Sequence, residues 1–542
     1  MDIPEADLQL CIKNGSCIIT MTVSGAAFIH LMRHIGVRGS LDGCGILGVL
    51  HKIDAEALIS FGTLPWATIE RLVHKVFIPS LHGAQSSAKS TVFSQHGIEK
   101  KYKEQDTSKE ELLVVAIDIG TTYSGYAMSF KSQKYVIHTI FNRTDKNTSK
   151  VPTALLLQPD GIFHSLGNEA LLHYNIIDEE ELNKWMYFSR FKMKFHKTAN
   201  LSRHATVAAA NGKELLAKRL FAVFLEHVKN DAINQIKTNA ACDVISPQDI
   251  KWVITVPAIW NDKAKQIMGE AAYEGGLASP RHSERVVIAL EPEAAALYCR
   301  ALHHISPLSQ DSEDTTLAFE PETRYLLADF GGGTVDATVH EVQSDNRIRE
   351  LHHATGGAWG GVYIDQNYVQ LLERIFGEKM IEKFRSNHQR DWTDMMLTKF
   401  ESAKRNIRPE GTLYLELTRP FYDFMNGEAT SIKECINRFD NDDVRLVRGY
   451  LSLKYPEVKK LFEPVFSNIC AHLKRLLENH PGVKFMILVG GFASSELLQT
   501  YLKTKFESSF GLRVIVPPHP SFSVMIGSVL FGHDPSVFIR KR

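Results

Sequence analysis

The chain has 542 residues, 62 Lys plus Arg against 62 Asp plus Glu, and a 44% apolar fraction. That length exceeds one ordinary domain, and the apolar share is that of a globular protein rather than a disordered or membrane one. The lack of a basic surplus gives no nucleic-acid footprint, and the seven scattered cysteines form no C-x-x-C pair, which argues for a reducing compartment, read as the cytoplasm, and against a zinc or disulfide framework.

The first apolar run, "CIITMTVSGAAFIHLM", is broken by Thr, Ser and His and follows the acids Asp2, Glu5 and Asp7. It makes a poor signal peptide and a poor membrane span. "GCGILG" (Gly43 to Gly48) matches the dinucleotide fingerprint by letter. No apolar strand leads into it, so the strand–turn–helix context is missing. "SQHGIEKKYKEQDTSKEE" (Ser94 to Glu111) reads as a solvated linker, and residues 1–110 are left without a function.

After the linker, strands beside glycines alternate with amphipathic helices, the pattern of an α/β fold. "VVAIDIGTTYSGYAMSF" is a strand, an acid, a glycine turn and a returning strand. "NGKELLAKRLFAVFLEHVKN" places Leu216, Leu220, Phe224 and Val228 on one helical stripe, with Asn211 as the expected start signal. "SPLSQDSEDTTLAFEPE" is an acidic surface insertion. "LLADFGGGTVDATVHEV" then repeats the strand–acid–glycine–strand pattern, with Asp329 where the first copy has Asp118. The repeat predicts two related lobes with one acid each. A last long helix, "PEVKKLFEPVFSNICAHLKRLLENHPG", stops at Pro481-Gly482 and feeds the strand "VKFMILVGG".

Glycine turns expose several backbone N–H groups as an anion nest, and two of them facing each other would cradle a polyphosphate. Carboxylates so close to phosphate make sense with a divalent cation between them, here Mg²⁺ holding most of its waters. Asp118 and Asp329 would hold those waters, and Thr121, Thr122 and Thr334 would donate to phosphate oxygens. No P-loop and no protein-kinase catalytic loop is present.

"IDIGTTYSGYA", "WVITVPAIWNDKAKQ", "IALEPEAAALY", "DFGGGTVDATV" and "ILVGGFAS" follow one another in the order of the actin-like ATPases. Their wording resembles the heat shock 70 kDa protein family, from about Leu112 to about Pro535. "WMYFSRFKMKFH", "GLASPRHSE" and "VGGFA" are similar to its divergent 12A/12B branch. The resemblance implies duplicated ribonuclease-H-like lobes around a nucleotide cleft. Lobe I would span 111–300, the insertion 301–323 and lobe II 324–509, with 510–542 returning to lobe I.

By the same resemblance Gly120, Thr121, Thr122, Tyr123, Gly331, Gly332 and Gly333 contact ATP or ADP. Glu291 orients metal-bound water, and Asp336 helps hold K⁺. The catalytic lysine of "FSRFKMKFH" is Lys192 or, as the alternative, Lys194. Ala294 to Ala296 and Gly527-Ser528 would be small residues where two connecting helices cross. Glu401, Lys404, Arg405, Gly490 and Gly491 match the adenosine pocket.

Departures gather there. Phe492 and Ser494 replace the family's serine and base-covering arginine, and Arg408 replaces a serine. Gly360 and Gly361 are followed by Val-Tyr instead of Glu-Asp. Phe492 or Arg408 would have to restore the lost stacking. The resemblance implies an ATP-hydrolysing switch of chaperone type, working with co-chaperone or client proteins. After Arg542 no β-rich peptide-binding segment follows, so no peptide clamp is expected in this chain. A nucleotide-holding adaptor with negligible turnover is the second reading. "ITVPAIWND" speaks against a small-molecule kinase of the same superfamily.

Overall fold

The structure is a computed structural model that describes residues 111–139, 150–197, 202–240, 247–305 and 317–539. Within the first 110 residues it describes four strands, Asp7–Lys13, Ser16–Ser24, His51–Ile53 and Glu56–Ser60. They form an antiparallel sheet in which Ser16–Ser24 and Glu56–Ser60 are the central pair. This sheet belongs to a small unit distinct from the main body. The "GCGILG" letter match, the polar linker up to residue 110 and most of the acidic insertion lie outside the described residues.

The main body is built on two sheets that repeat one topology. In the first, Leu113–Ile119 pairs antiparallel with Tyr123–Phe130 and parallel with Ile250–Val256, which pairs parallel with Val286–Leu290. In the second, Arg324–Phe330 pairs antiparallel with Val335–Val342 and parallel with Val483–Val489, which pairs parallel with Arg513–Ile515. Every residue of Leu113–Ile119 is buried. Central strands covered on both faces read as unbroken apolar runs, which is why "LVVAIDI" carries no polar alternation. The second lobe therefore extends beyond residue 509, because Arg513–Ile515 edges its sheet and Phe538–Ile539 pairs with its strand Ile348–Gly357.

Two helices, Glu291–Ile305 and Ser523–His533, connect the halves. Ala294, Ala295 and Ala296 pack against Tyr325, Leu327 and Ile487 of the second sheet. Leu297 and Ala301 share a cluster with Val114 and Val253 of the first, together with Met525 and Val529. The helices cross at Gly527, where an added Cβ would stand 1.7 Å from the Ala294 carbonyl oxygen. Only a residue without a side chain permits that backbone approach.

The helix expected after Asn211 is corrected. The helix does not start at Asn211; it runs Ala217–Ala240, and Glu214–Leu216 is a strand paired with Thr206–Ala208. Asn211-Gly212 forms the hairpin turn, with Gly212 at φ +80° and Asn211 Oδ1 accepting from Lys213 N. An Asn-Gly pair between alternating residues is a hairpin signal that outweighed the capping pattern. Leu216 is accordingly exposed, while Leu220, Phe224 and Val228 are buried.

Candidate functional site

The two glycine turns face each other. A Cβ on Gly332 would lie 2.6 Å from Thr122 Oγ1, and one on Gly333 would lie 2.7 Å from Thr121 Oγ1. Each turn ends a buried strand whose acid occupies the same register: Asp118 opposite Gly125, and Asp329 opposite Asp336. Gly360 and Gly361 donate to the carbonyls of Gly333 and Gly331, and Val362 to that of Gly332. The Gly360-Gly361 segment thus braces the triple-glycine turn from behind. Between the turns lies a cavity of about 570 Å³, within the ~300–1,000 Å³ usual for small-molecule sites.

The charged groups around Lys192 and Asp118 come from distant segments. Lys192, almost fully buried, donates to Glu291 Oε1 at 2.6 Å and stands over the Trp260 ring. Lys194, the alternative lysine, is exposed and does not line the cavity. Asp118 accepts from Lys150 Nζ at 2.6 Å and from Thr255 Oγ1 at 3.0 Å. Burial would raise its carboxyl, but Lys150 and then Lys192 outweigh that and hold it below the usual carboxylate range. Glu291 moves the other way, because burial exceeds the attraction of Lys192.

Asp329 is buried and forms no ion pair among the described residues. Burial, then Glu291, Asp336 and Asp118, push its carboxyl well up. Asp336 lies behind the turn, accepting from Thr334 Oγ1 and Ile259 N, both at 3.2 Å. Burial and then Glu291 raise it to about 7. Four carboxyl groups crowd beside two lysines; burial and then mutual repulsion push three of them up, and a cation would relieve that repulsion. Among the described residues no three metal-ligating groups converge to hold an ion directly.

Elsewhere on the cavity wall, Glu401 forms an ion pair with Lys404 at 2.6 Å and accepts from Arg405 Nε at 2.8 Å. Lys404 also reaches Asp365 at 2.6 Å and the Gly361 carbonyl. Burial would raise Glu401, but Lys404 and Arg405 overcome it and bring the carboxyl down to about 2. Arg405 stacks over Tyr123, 4.3 Å from the ring centre, joining the two lobes across the cleft. Phe492 lines the cavity beside Gly361, Gly491 and Phe462. Gly490 takes φ +91°, and a Cβ there would lie 2.3 Å from Asp329 Oδ1.

Arg408 is not brought to the site. The helix Glu401–Arg405 ends at Asn406, the chain turns so that Ile407 is buried, and Arg408 faces solvent outside the cavity. Of the two residues expected to replace the stacking arginine, only Phe492 lines the cavity. Sequence reasoning missed Lys150, Arg190 and Asp365. Arg190, which follows the first-lobe strand Met186–Ser189, reaches Asp365 of the second-lobe helix Val362–Phe376 at 2.6 Å. Arg190 sits inside the quoted "WMYFSRFKMKFH" run, but nothing local marks it, Lys150 or Asp365 as paired; their partners are set by packing between distant segments.

Duplicated sheets with facing glycine turns, two connecting helices crossing at small residues, and a charged interlobe cavity define the actin-like ATPase fold. A family model described as Hsp70 protein matches residues 178–494. The chain is 38% identical over 483 residues to heat shock 70 kDa protein 12A of Mus musculus, covering 80% of this chain and 71% of that one. It is 36% identical over 476 residues to heat shock 70 kDa protein 12B of Homo sapiens, covering 78% and 69%. A chaperone protein HscA homolog of Rickettsia prowazekii is 24% identical over 435 residues, 79% of this chain and 58% of that one. The chain belongs to the heat shock protein 70 family, and its similarity is to the 12A and 12B members. No described helix is long and apolar enough to cross a membrane.

Proposed function

We propose that this protein binds ATP between its lobes and hydrolyses it with Mg²⁺, as a conformational switch of chaperone type acting on protein partners in the cytoplasm. The observation that carries the reading is the pair of facing glycine turns with Lys192 on Glu291 at their base. The turns would hold the β- and γ-phosphates through backbone N–H groups, with Thr121, Thr122 and Thr334 as hydroxyl donors. Asp118 and Asp329 would hold the water shell of the cation, whose part is to neutralise charge on the phosphates. Glu291 would orient water, and Lys192 would place its ammonium beside the reacting phosphate; positioning and charge stabilisation supply most of such a rate. K⁺ beside Asp336 belongs to the same proposal.

The test is phosphate release with and without Mg²⁺ and K⁺, alongside direct measurement of ATP binding, for wild type and Asp329→Asn. The variant should lose most turnover while keeping most affinity, because the glycine turns still grip phosphate. Equal losses in both would count against the assigned role. The altered base pocket, with Arg408 outside the cavity, favours a second reading: an adaptor that holds nucleotide and turns it over negligibly. Tight binding without Mg²⁺-dependent phosphate release would select it.

A further inference from the structure

Lys150 and Lys192 both line the cavity, and each is paired with a different acid. Lys192 is enclosed against Glu291 and Trp260. Lys150 donates to Asp118 Oδ2 at 2.6 Å, with 14% of its side chain exposed. Its backbone is built into the first glycine turn. Val151 and Pro152 pair with Ser124 and Tyr123, Thr153 N donates to the Thr122 carbonyl, and Thr153 Oγ1 donates to the Gly120 carbonyl at 2.7 Å. The lysine is therefore fixed at its root by the turn and held at its tip by one carboxylate, in the wall of the cavity.

A lysine ammonium is a compact point charge on a flexible stem, suited to exchanging one anionic partner for another. Its partner in the structure is a single carboxylate. A polyphosphate seated on the same turn offers more negative charge at the same place. Moving the ammonium to it costs no new burial and leaves Asp118 to face the cation's water shell. We infer that Lys150 is a phosphate-binding residue that shifts from Asp118 to a nucleotide phosphate oxygen, so that nucleotide is retained when divalent cation is removed. The inference rests on the nucleotide reading of the cleft.

The experiment is calorimetric titration of ADP and ATP into the full chain, in Mg²⁺ and in EDTA, for wild type, Lys150→Met and Lys150→Arg. Wild type should bind in EDTA within roughly tenfold of its Mg²⁺ affinity. Lys150→Met should lose about tenfold or more in EDTA and clearly less in Mg²⁺, whereas Lys150→Arg, which keeps the charge, should retain binding in EDTA. No wild-type binding in EDTA, or equal losses by Lys150→Met in both media, or no loss at all, overturns the inference while leaving Mg²⁺-dependent binding intact. No wild-type binding in Mg²⁺ overturns the nucleotide reading and the inference with it. The unfolding midpoint of Lys150→Met without nucleotide separates a damaged fold from a lost phosphate contact, and the wild-type comparison stands even if that variant does not fold.

Discussion

Replacing Gly527 with alanine would put a methyl carbon 1.7 Å from the Ala294 carbonyl oxygen and 2.5 Å from its carbonyl carbon. Ordinary contact begins at 3.4 Å, so the two crossing helices must separate locally by roughly 1.7 Å. There is no slack to absorb this: Ala294, Ala295, Ala296 and Ser528 are fully buried, and the obstructing atoms are backbone. Overpacking usually costs about 1–3 kcal/mol, and a backbone obstacle places this case near ~3 kcal/mol or above. At about 2 °C per kcal/mol for a large domain, the unfolding midpoint should fall by about 6 °C. ATP affinity should fall too, since Glu291 opens one helix and Val524 lies in the other, and both line the cavity. Gly269→Ala is the control. Gly269 lies in the helix Asp262–Glu274 with nothing within 4 Å of an added Cβ, so that change should stabilise by up to about 1 kcal/mol. A Gly527→Ala midpoint within roughly 1 °C of wild type, with the control behaving as expected, would refute the tight crossing.

Phe492→Ala should loosen ATP binding by about one to two decades and blunt discrimination among nucleoside triphosphates, while Arg408→Ala should leave both unchanged; fluorescence titration reads the difference. An Arg408→Ala loss matching that of Phe492→Ala would place the base elsewhere. Arg190→Ala removes an interlobe ion pair to Asp365 worth about 1 kcal/mol, and should speed ADP release several-fold in stopped flow. Unchanged release with a lowered unfolding midpoint would make the pair purely structural. Burial pushes the His340 imidazole down to about 3, between Thr338 Oγ1 and the Tyr325 hydroxyl. The unfolded chain takes that proton near pH ~6.5 and the folded one does not, so the stability is complete above that pH and falls as pH drops towards 3, by up to about 1.4 kcal/mol per unit. His340→Gln should flatten the acid limb by about 2 kcal/mol between pH 7 and 5 in thermal unfolding; an unchanged acid limb would contradict the assignment.

Local features were legible from residue order alone. Both glycine hairpins were legible because strand, acid and turn lie within a dozen residues, and the acids share register by repetition rather than by packing. The long helix Tyr455–Asn479 and the strand after it were legible for the same reason, through periodicity and the Pro-Gly stop. Local signals also misled where two competed, as at Asn211-Gly212, where hairpin chemistry overrode a capping pattern. Which side chains share the cleft depended on packing between distant segments. Lys192 and Lys194 are two residues apart in one basic run, yet one is enclosed on Glu291 and the other faces solvent. Arg405 and Arg408 are three apart, but the helix ends between them, so one stacks on Tyr123 and the other leaves the site. Lys150, Arg190 and Asp365 acquire partners 32 or more residues away. A long-range pair depends on where two chains of packing end in space, and no window of sequence contains that information.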